Sequence, residues 1–272
     1  MYLIHLPKQG GGRMKNVMSF RASCDASDKT TATVWLEATT TLKGPDEVAY
    51  DQFAHVMTGL MDKHPVVIKL QEIGRLSEKE AQLASRFKTD PPPNVVMPIC
   101  EFKCKNDFIT WNKPLTQPKR FCSGSTNLTS VFVMEYLPYN LIDYATSHSL
   151  PRGTILKQIG FALLNLHINW NITHGDIASG NIMLDIGEPK ILTYTIAGHP
   201  YTVNTEGYEV VFIDFQRSMR TTVSDVGPVC DDICLAYELL ARWAKWPVAD
   251  LIDRIGAAAD LEEAVTLVQS IP

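Results

Sequence analysis

The sequence predicts an α+β protein with two lobes, a small strand-rich first lobe and a mostly helical second lobe. Three observations indicate this class. Short β-rich runs fill the first half, helical repeats of apolar residues fill the second, and the break Leu137-Pro138-Tyr139 separates them. The 272 residues, 45% of them hydrophobic, are enough to form two such cores. We therefore expect a ligand cleft where the two lobes meet.

The proposed division has three parts. Residues 1–16 form a flexible lead-in, residues 17–137 the first lobe, and residues 138–272 the second lobe. Two early strands are expected at 17–22 and 31–38, joined by a polar loop.

A helix is expected next, over residues 46–62, because its apolar residues share one helical face. These residues are Ala49, Phe53, Val56, Met57 and Leu60. A short strand follows at 66–70, and then a helix at 77–88. In that helix Ser77 is the expected N-cap, and Glu80 can complete a capping box with it.

The remaining elements follow the same patterns. Strands are expected near 95–102 and 130–136, with one more allowed at 107–111. Apolar periodicity predicts four helices in the second lobe, at 153–169, 231–244, 248–256 and 260–269.

Composition narrows the class of protein. The net charge of −5 argues against a broad nucleic-acid-binding surface, and no apolar run reaches the ~18 residues of a membrane span. The N-terminal residues lack a signal-peptide pattern, so we expect an intracellular protein, in the cytoplasm or nucleus, without a membrane partner. The six cysteines are then expected to be reduced thiols.

Two polar residues stand out in the first lobe. Lys69 interrupts the apolar strand Val66-Val67-Ile68-Lys69-Leu70, where a lysine either faces a cleft or reaches out at an edge. Glu80 lies on the helix that follows. Either residue alone has an ordinary structural explanation.

Two polar groups in the second lobe are more informative. In the stretch 172–184, Asp176 precedes Asn181 by five residues between two apolar runs, which suits a loop that holds a carboxylate and an amide over a site. The apolar strand 210–213 then ends at Asp214, where a hard cation could bind.

Together these pieces resemble the protein-kinase family. The order matches: strand lysine, helix glutamate, the hinge-like run 132–137, the loop with Asp176 and Asn181, and Asp214-Phe215. The resemblance covers roughly residues 17 to 244 and implies binding of ATP and Mg²⁺.

The resemblance also implies residue roles. Lys69 would hold ATP phosphates and pair with Glu80, while Asp176 would act on the acceptor hydroxyl and Asn181 and Asp214 would bind Mg²⁺. The adenine site would use Met134 as gatekeeper, the backbone of Glu135 and Leu137, and Val34 as a cover. The phosphate loop would place Ser27, Lys29 and Ala32 at its three glycine positions, while a rival register would use Gly10 and Gly12.

Several departures from the family follow. The three glycines are replaced in that register, Gly175 replaces the arginine before the catalytic aspartate, and Ala178 replaces a lysine that contacts the γ-phosphate. The missing arginine implies no switch by activation-loop phosphorylation. The second lobe is also short, so a partner could complete it, and one of Asp231 and Asp232 should brace the catalytic loop, with Asp232 favoured.

An apparent insertion separates Asn181 from Asp214. Residues 191–198 and 207–211 are expected to form an extra hairpin. Such an insertion is similar to those of haspin-type kinases and of kinases from large DNA viruses, which implies a serine/threonine protein kinase with a protein substrate. Two alternatives remain, a small-molecule kinase of the aminoglycoside or choline type and a non-catalytic pseudokinase scaffold.

Overall fold

The computed structural model describes residues 47–50, 54–61, 64–87, 91–96, 98–105, 126 and 128–272. These residues form two compact units. The sheet unit lies within Asn16–Pro91 and Val96–Tyr136, and the helical unit includes Pro92–Val95 and Leu137–Pro272. The predicted α+β class, with strands first and helices second, is confirmed.

The sheet unit is built on an antiparallel sheet. Its described strands are β1 (Glu47–Tyr50), β2 (Ala54–Met61), β3 (His64–Glu72), β4 (Pro98–Lys105) and β5 (Leu128–Glu135). They follow the order β1-β2-β3-β5-β4, so β3 lies in the middle of the sheet. Helix α1 (Arg75–Phe87) follows β3 directly.

The predicted helix over residues 46–62 is wrong, because this region forms β1 and β2. Met61 pairs with His64, so two residues connect β2 to β3, and Val56 lies opposite Lys69. The apolar spacing also suits a strand once β3 supplies a pairing partner. This tertiary contact cannot be seen in the local pattern.

The predicted N-cap of the next helix is also wrong. Helix α1 begins at Arg75, so Ser77 lies in its first turn. The Ser77 hydroxyl accepts a hydrogen bond from the Gly74 amide (3.0 Å) and donates one to the Gly74 carbonyl (3.1 Å). Glu80 is therefore not needed for a capping box.

The helical unit is organised around the long helix α3. Its helices are α2 (Leu141–Ser147), α3 (Arg152–Trp170), α4 (Gly227–Ala244), α5 (Ala249–Gly256) and α6 (Leu261–Gln269). The predicted helices at 153–169, 248–256 and 260–269 are confirmed, while α4 begins four residues earlier than expected. Helix α3 is buried along most of its length, between α4, α6 and a set of short strands.

The short strands of this unit form three small antiparallel groups. They are β6 (Tyr139–Asn140), β7 (Ile172–Thr173), β8 (Ile182–Ile186), β9 (Ile191–Ile196), β10 (His199–Asn204), β11 (Tyr208–Phe212) and β12 (Met219–Arg220). Strand β8 lies between β11 and β6, β9 pairs with β10, and β7 pairs with β12.

The predicted hairpin exists, but with a different partner strand. Strand β9 pairs with β10, which was expected to be a break, whereas residues 208–211 belong to β11 and pair with β8. The turn Ala197-Gly198 closes the hairpin, and both residues have positive φ angles. The β9 side chains alternate between buried and exposed, as expected for a strand with one face against α3.

The segment Pro92–Val95 is attached to the helical unit by a buried asparagine. Asn94 adopts φ 63° and is fully buried. Its Nδ2 donates to the Val210 carbonyl (2.7 Å) and to Gln158 Oε1 (3.2 Å), and its Oδ1 accepts from the Tyr194 hydroxyl (2.5 Å). The network connects the segment to α3, β9 and β11.

The early strands expected at 17–22 and 31–38, and the one allowed at 107–111, lie outside the described residues. No helix in the described ranges is both long and apolar enough to cross a membrane.

Candidate active site

A buried ion pair lies in the sheet unit. The central strand β3 carries Lys69, whose side chain is only 5% exposed, and α1 carries Glu80. Lys69 Nζ lies 2.9 Å from Glu80 Oε2 and 3.2 Å from Oε1. A lysine and a glutamate buried together compensate each other's charge, which neither could do alone at this depth.

Gln71 completes this group. It lies two residues after Lys69, on the same face of β3, and its Nε2 donates to Glu80 Oε2 (2.9 Å). Two donors therefore hold the Glu80 carboxylate in place. The sequence reasoning missed Gln71, although its spacing from Lys69 could have indicated it.

A side chain of α4 supports the catalytic-loop candidate, residues 174–181. Asp232 Oδ2 accepts hydrogen bonds from the backbone N–H of His174 (2.7 Å) and of Gly175 (3.3 Å), and Oδ1 also accepts from Gly175 (3.2 Å). Asp232, and not Asp231, is thus the bracing residue. Burial raises the pKa of Asp232 to about 6, while the hydrogen bonds from the two backbone N–H groups oppose this rise.

His174 joins the loop to the end of β11. Its Nε2–H donates to the Ile213 carbonyl (3.0 Å), and its ring packs against Phe215 at 4.7 Å and Phe212 at 5.8 Å. Burial lowers the pKa of His174, so the ring is neutral at pH 7. Its Nδ1 has no hydrogen-bond partner within the described part of the chain.

The loop brings Asp176 and Asn181 together. Asn181 Nδ2 donates to the Asp176 carbonyl (2.8 Å) and to Asp176 Oδ2 (3.3 Å). These bonds use the amide nitrogen and leave the amide oxygen on the opposite side of the group. The loop thus presents a carboxylate and an amide oxygen as a fixed pair.

Asp214 is placed beside this pair by the β8–β11 ladder. Ile182 pairs with Phe212, and the Ile213 N–H donates to the Asn181 carbonyl (3.1 Å), so the pairing extends one step past both strands. Asp214 comes next and adopts a left-handed conformation with φ 65°. Aspartate tolerates this region better than most residues, and such backbone conformations concentrate at functional sites.

The side-chain oxygens of this loop and of Asp214 fit a magnesium ion. Asn181 and Asp214 supply the amide and carboxylate oxygens that Mg²⁺ prefers. In the described ranges no cluster of three or more His, Cys, Asp or Glu side chains could hold a metal by itself. A cation here would need further oxygen ligands, which the phosphates of a nucleotide could supply.

The residues assigned to adenine binding are only partly described. Met134 and Glu135 end β5, where they lie opposite Val67 and Val66 of β3, and Leu137 is buried in the helical unit. The predicted phosphate-loop and adenine-cover residues lie outside the described residues: Ser27, Lys29, Ala32 and Val34.

The described strands that precede β3 differ from the pair between which the phosphate loop was predicted. The loop was placed between strands at 17–22 and 31–38, yet the strand that pairs with β3 on this side of the sheet is β2, and β2 pairs on its other side with β1. Only residues 51–53, Asp-Gln-Phe, join them, and they contain no glycine.

Two further residues near the loop were missed by the sequence reasoning. Asn140 caps α2, with its Oδ1 accepting from the N–H groups of Ile142 and Asp143, while its Nδ2 donates to the Ser179 carbonyl. Arg217 places a guanidinium nitrogen 3.8 Å from Asp176 Oδ1. A single exposed arginine gives no sequence pattern that could have revealed this contact.

The comparisons with known proteins add little to this geometry. No protein-family model matches the sequence, and no curated protein matches it. Among solved structures, the chain is similar to the crystal structure of the kinase domain of PF14_0431 from Plasmodium. The two share 13% identity over 84% of each chain, with a TM-score of 0.44.

Proposed function

We propose that the protein is an ATP- and Mg²⁺-dependent phosphotransferase with the active-site plan of the protein kinases. One observation carries this proposal: the β8–β11 ladder and the hydrogen bonds to Asp232 hold Asp176, Asn181 and Asp214 on neighbouring segments of the helical unit. A carboxylate beside two oxygen ligands for Mg²⁺ is the set that phosphoryl transfer requires in protein kinases.

The buried ion pair of the sheet unit supports the same proposal. In protein kinases a lysine on the third strand contacts the phosphates and pairs with a glutamate of the following helix. Lys69 lies on β3 and pairs with Glu80 of α1. We assign phosphate contact to Lys69 and its orientation to Glu80 and Gln71.

The residues of the helical unit then divide the chemistry. Asp176 accepts the proton of the acceptor hydroxyl, and Asn181 and Asp214 hold the metal ion. A bound Mg²⁺ would neutralise the charge on the transferred phosphate. The backbone of Glu135 and Leu137, with Met134 behind it, would contact adenine.

The acceptor in this proposal is a serine or threonine hydroxyl of a protein. The β9–β10 hairpin, inserted between Asn181 and Asp214, supports a divergent kinase of the haspin or viral type.

Substitution of Asp176 tests the proposal. Asp176→Asn keeps the size of the side chain but removes the proton acceptor, so kcat should fall by about 10²–10⁴-fold. Affinity for Mg·ATP by calorimetry should stay close to that of the wild type, because a contact made only in the transition state does not change ground-state binding. Asp143→Asn, at an exposed position of α2, is the matched control.

Three acceptor sets separate the alternatives. Radiolabelled ATP is supplied with a degenerate peptide library, with aminoglycosides and with choline. Label in serine or threonine peptides supports the proposal, and label in the small molecules moves it to that class of kinase. Wild-type protein that labels no acceptor would favour a pseudokinase scaffold, and equal rates for wild type and Asp176→Asn would refute the assigned loop.

A further inference from the structure

The short turn after Asp214 packs tightly on the catalytic-loop candidate. Residues Phe215–Arg217 form one turn of 3₁₀ helix, closed by a bond from the Ser218 N–H to the Phe215 carbonyl (3.1 Å). Phe215 is buried against the His174 ring. The backbone that carries Arg217 is therefore fixed to the loop.

Gly175 explains how close this approach is. It adopts φ +68°, and a Cβ atom at this position would lie 2.8 Å from the Arg217 carbonyl oxygen. Any larger residue would be strained and would displace the turn. The glycine that departs from the kinase pattern is thus the residue that allows Arg217 to reach the loop.

The side chain of Arg217 extends back to Asp176. Its guanidinium lies 3.8 Å from Asp176 Oδ1, and the side chain remains 64% exposed. An ion pair that is this exposed is weak, so it orients the guanidinium without blocking the carboxylate. Arg217 can turn toward another anion beside Asp176 at little cost.

The site lacks a cation where the kinase pattern supplies one. Ala178 stands at the position of the lysine that contacts the γ-phosphate and has no charge. Another cation of this unit, Lys190, is paired with Glu209 on β11. Arg217 is held next to the proposed proton acceptor, where the phosphate must meet the hydroxyl.

We propose that Arg217 is a catalytic residue that supplies this missing charge, an inference that rests on the proposed phosphotransferase function. The acceptor oxygen forms a bond to the γ-phosphorus while the bond from that phosphorus to the bridging oxygen of ADP breaks, and the acceptor proton passes to Asp176. Arg217 donates hydrogen bonds to the transferred phosphoryl oxygens as charge spreads over them. An arginine supplied in the same chain performs this task in other phosphoryl-transfer enzymes.

Two substitutions and a neighbouring control test the role. Arg217→Ala should lower kcat by about 10²–10³-fold, with Mg·ATP affinity within a few-fold of wild type. Arg217→Lys should recover part of the lost rate, because it restores the charge without the planar fork. The control is Arg220→Ala, an exposed arginine three residues later on β12, which should retain the wild-type rate.

Binding of a transition-state analogue gives a second readout that needs no acceptor. ADP with Mg²⁺ and aluminium fluoride mimics the transferring phosphoryl group. Arg217→Ala should bind this mixture at least tenfold more weakly than wild type, yet bind ADP with Mg²⁺ equally well. If Arg217 has a purely structural role, Arg217→Ala should not change the affinity for the aluminium fluoride mixture relative to the affinity for ADP with Mg²⁺.

The outcomes distinguish the inference from the function beneath it. If wild type transfers phosphate and Arg217→Ala does so equally fast, the inference is overturned while the proposed function stands. If wild type neither transfers phosphate nor binds Mg·ATP, both fail. If Arg217→Ala does not fold, the test uses Arg217→Lys. A folded lysine variant with no more activity than Asp176→Asn would show that positive charge alone does not account for the role of Arg217.

Discussion

The pair Lys69–Glu80 shows how one residue depends on another. Both side chains are buried, so removal of the Glu80 charge takes away the carboxylate with which the buried Lys69 ammonium forms its ion pair. Glu80→Gln should therefore lower the free energy of unfolding by about 3–5 kcal/mol, measured by urea denaturation. The same variant should also weaken Mg·ATP binding, since Lys69 loses the carboxylate that positions it.

An exposed glutamate on the same helix provides the control. Glu78 lies in the first turn of α1, where a negative charge contributes only about 0.3–1 kcal/mol. Glu78→Gln should lose no more than that. If Glu80→Gln costs equally little, the ion pair does not support the position of α1.

The raised pKa of Asp232 predicts how the stability of the protein changes with pH. The pKa of Asp232 in the folded protein is about 6, above the usual aspartate value of 3.8, so between these values the folded state holds a proton that the unfolded state has released. Its contribution to stability is fully present below pH 3.8 and is lost as the pH rises through 6. The loss corresponds to roughly 3 kcal/mol.

The measurement is the difference between two urea-denaturation series from pH 4 to pH 7. Wild type should lose stability relative to Asp232→Asn as the pH rises, because the variant has no such titration. Asp231→Asn, at the exposed neighbouring position, should keep most of the wild-type pH dependence, because the charge of Asp231 contributes least to the raised pKa of Asp232. Parallel curves for wild type and Asp232→Asn would show that two backbone N–H donors hold the carboxylate ionised throughout.

At the scale of elements, the buried asparagine network joins a short segment to a helix and two strands. Asn94→Ala would leave the Tyr194 hydroxyl, the Val210 carbonyl and Gln158 without their Asn94 bonds. Each buried polar group left unsatisfied costs about 1–3 kcal/mol. We expect Asn94→Ala to lower the free energy of unfolding by at least about 3 kcal/mol in urea denaturation.

Substitutions of the two tyrosines of the β9–β10 hairpin distinguish the contribution of the hydrogen-bond network to stability from that of side-chain packing. Tyr194→Phe removes one bond of the network and should cost about 1 kcal/mol. Tyr201→Phe, on the opposite strand and half-buried, should cost less. A loss for Asn94→Ala no greater than that for Tyr194→Phe would contradict the network as the attachment of the segment.

At the scale of the whole molecule, the sequence predicted what depends on nearby residues. The long helix α3 and the last two helices follow from apolar spacing. The roles of Asp176, Asn181 and Asp214, inferred from their order along the chain, stay predictions. The β1–β2 region was misjudged because strand and helix spacings coincide there, and only pairing with β3 decides between them.

The site contacts that were missed are all between residues distant in sequence. Arg217 reaches Asp176 across 41 positions, and Asn140 reaches Ser179 across 39. No local pattern contains either contact, since both arise where separate loops fold against each other. Gly175 looked like a loss in the sequence and acquires its reason only from the carbonyl packed against it.

Ligand binding should stabilise the whole molecule through Asp214. A ligand that binds only the folded state adds about 2.7 kcal/mol at 100 times its Kd, which in a chain of this size raises Tm by roughly 5 °C. Wild type with Mg²⁺ and a non-hydrolysable ATP analogue should show this rise in a thermal melt. Asp214→Asn should lose most of it, because the variant lacks the carboxylate that we propose as a ligand of the metal ion.

Adenosine without metal makes the same experiment decisive. It contacts none of the proposed metal ligands, so its smaller stabilisation should be the same in wild type and Asp214→Asn. Asp253→Asn, at an exposed position of α5, should respond to both ligands as wild type does. If Asp214→Asn loses the response to adenosine and to the nucleotide in equal proportion, Asp214 maintains the structure of the site and does not bind the metal ion.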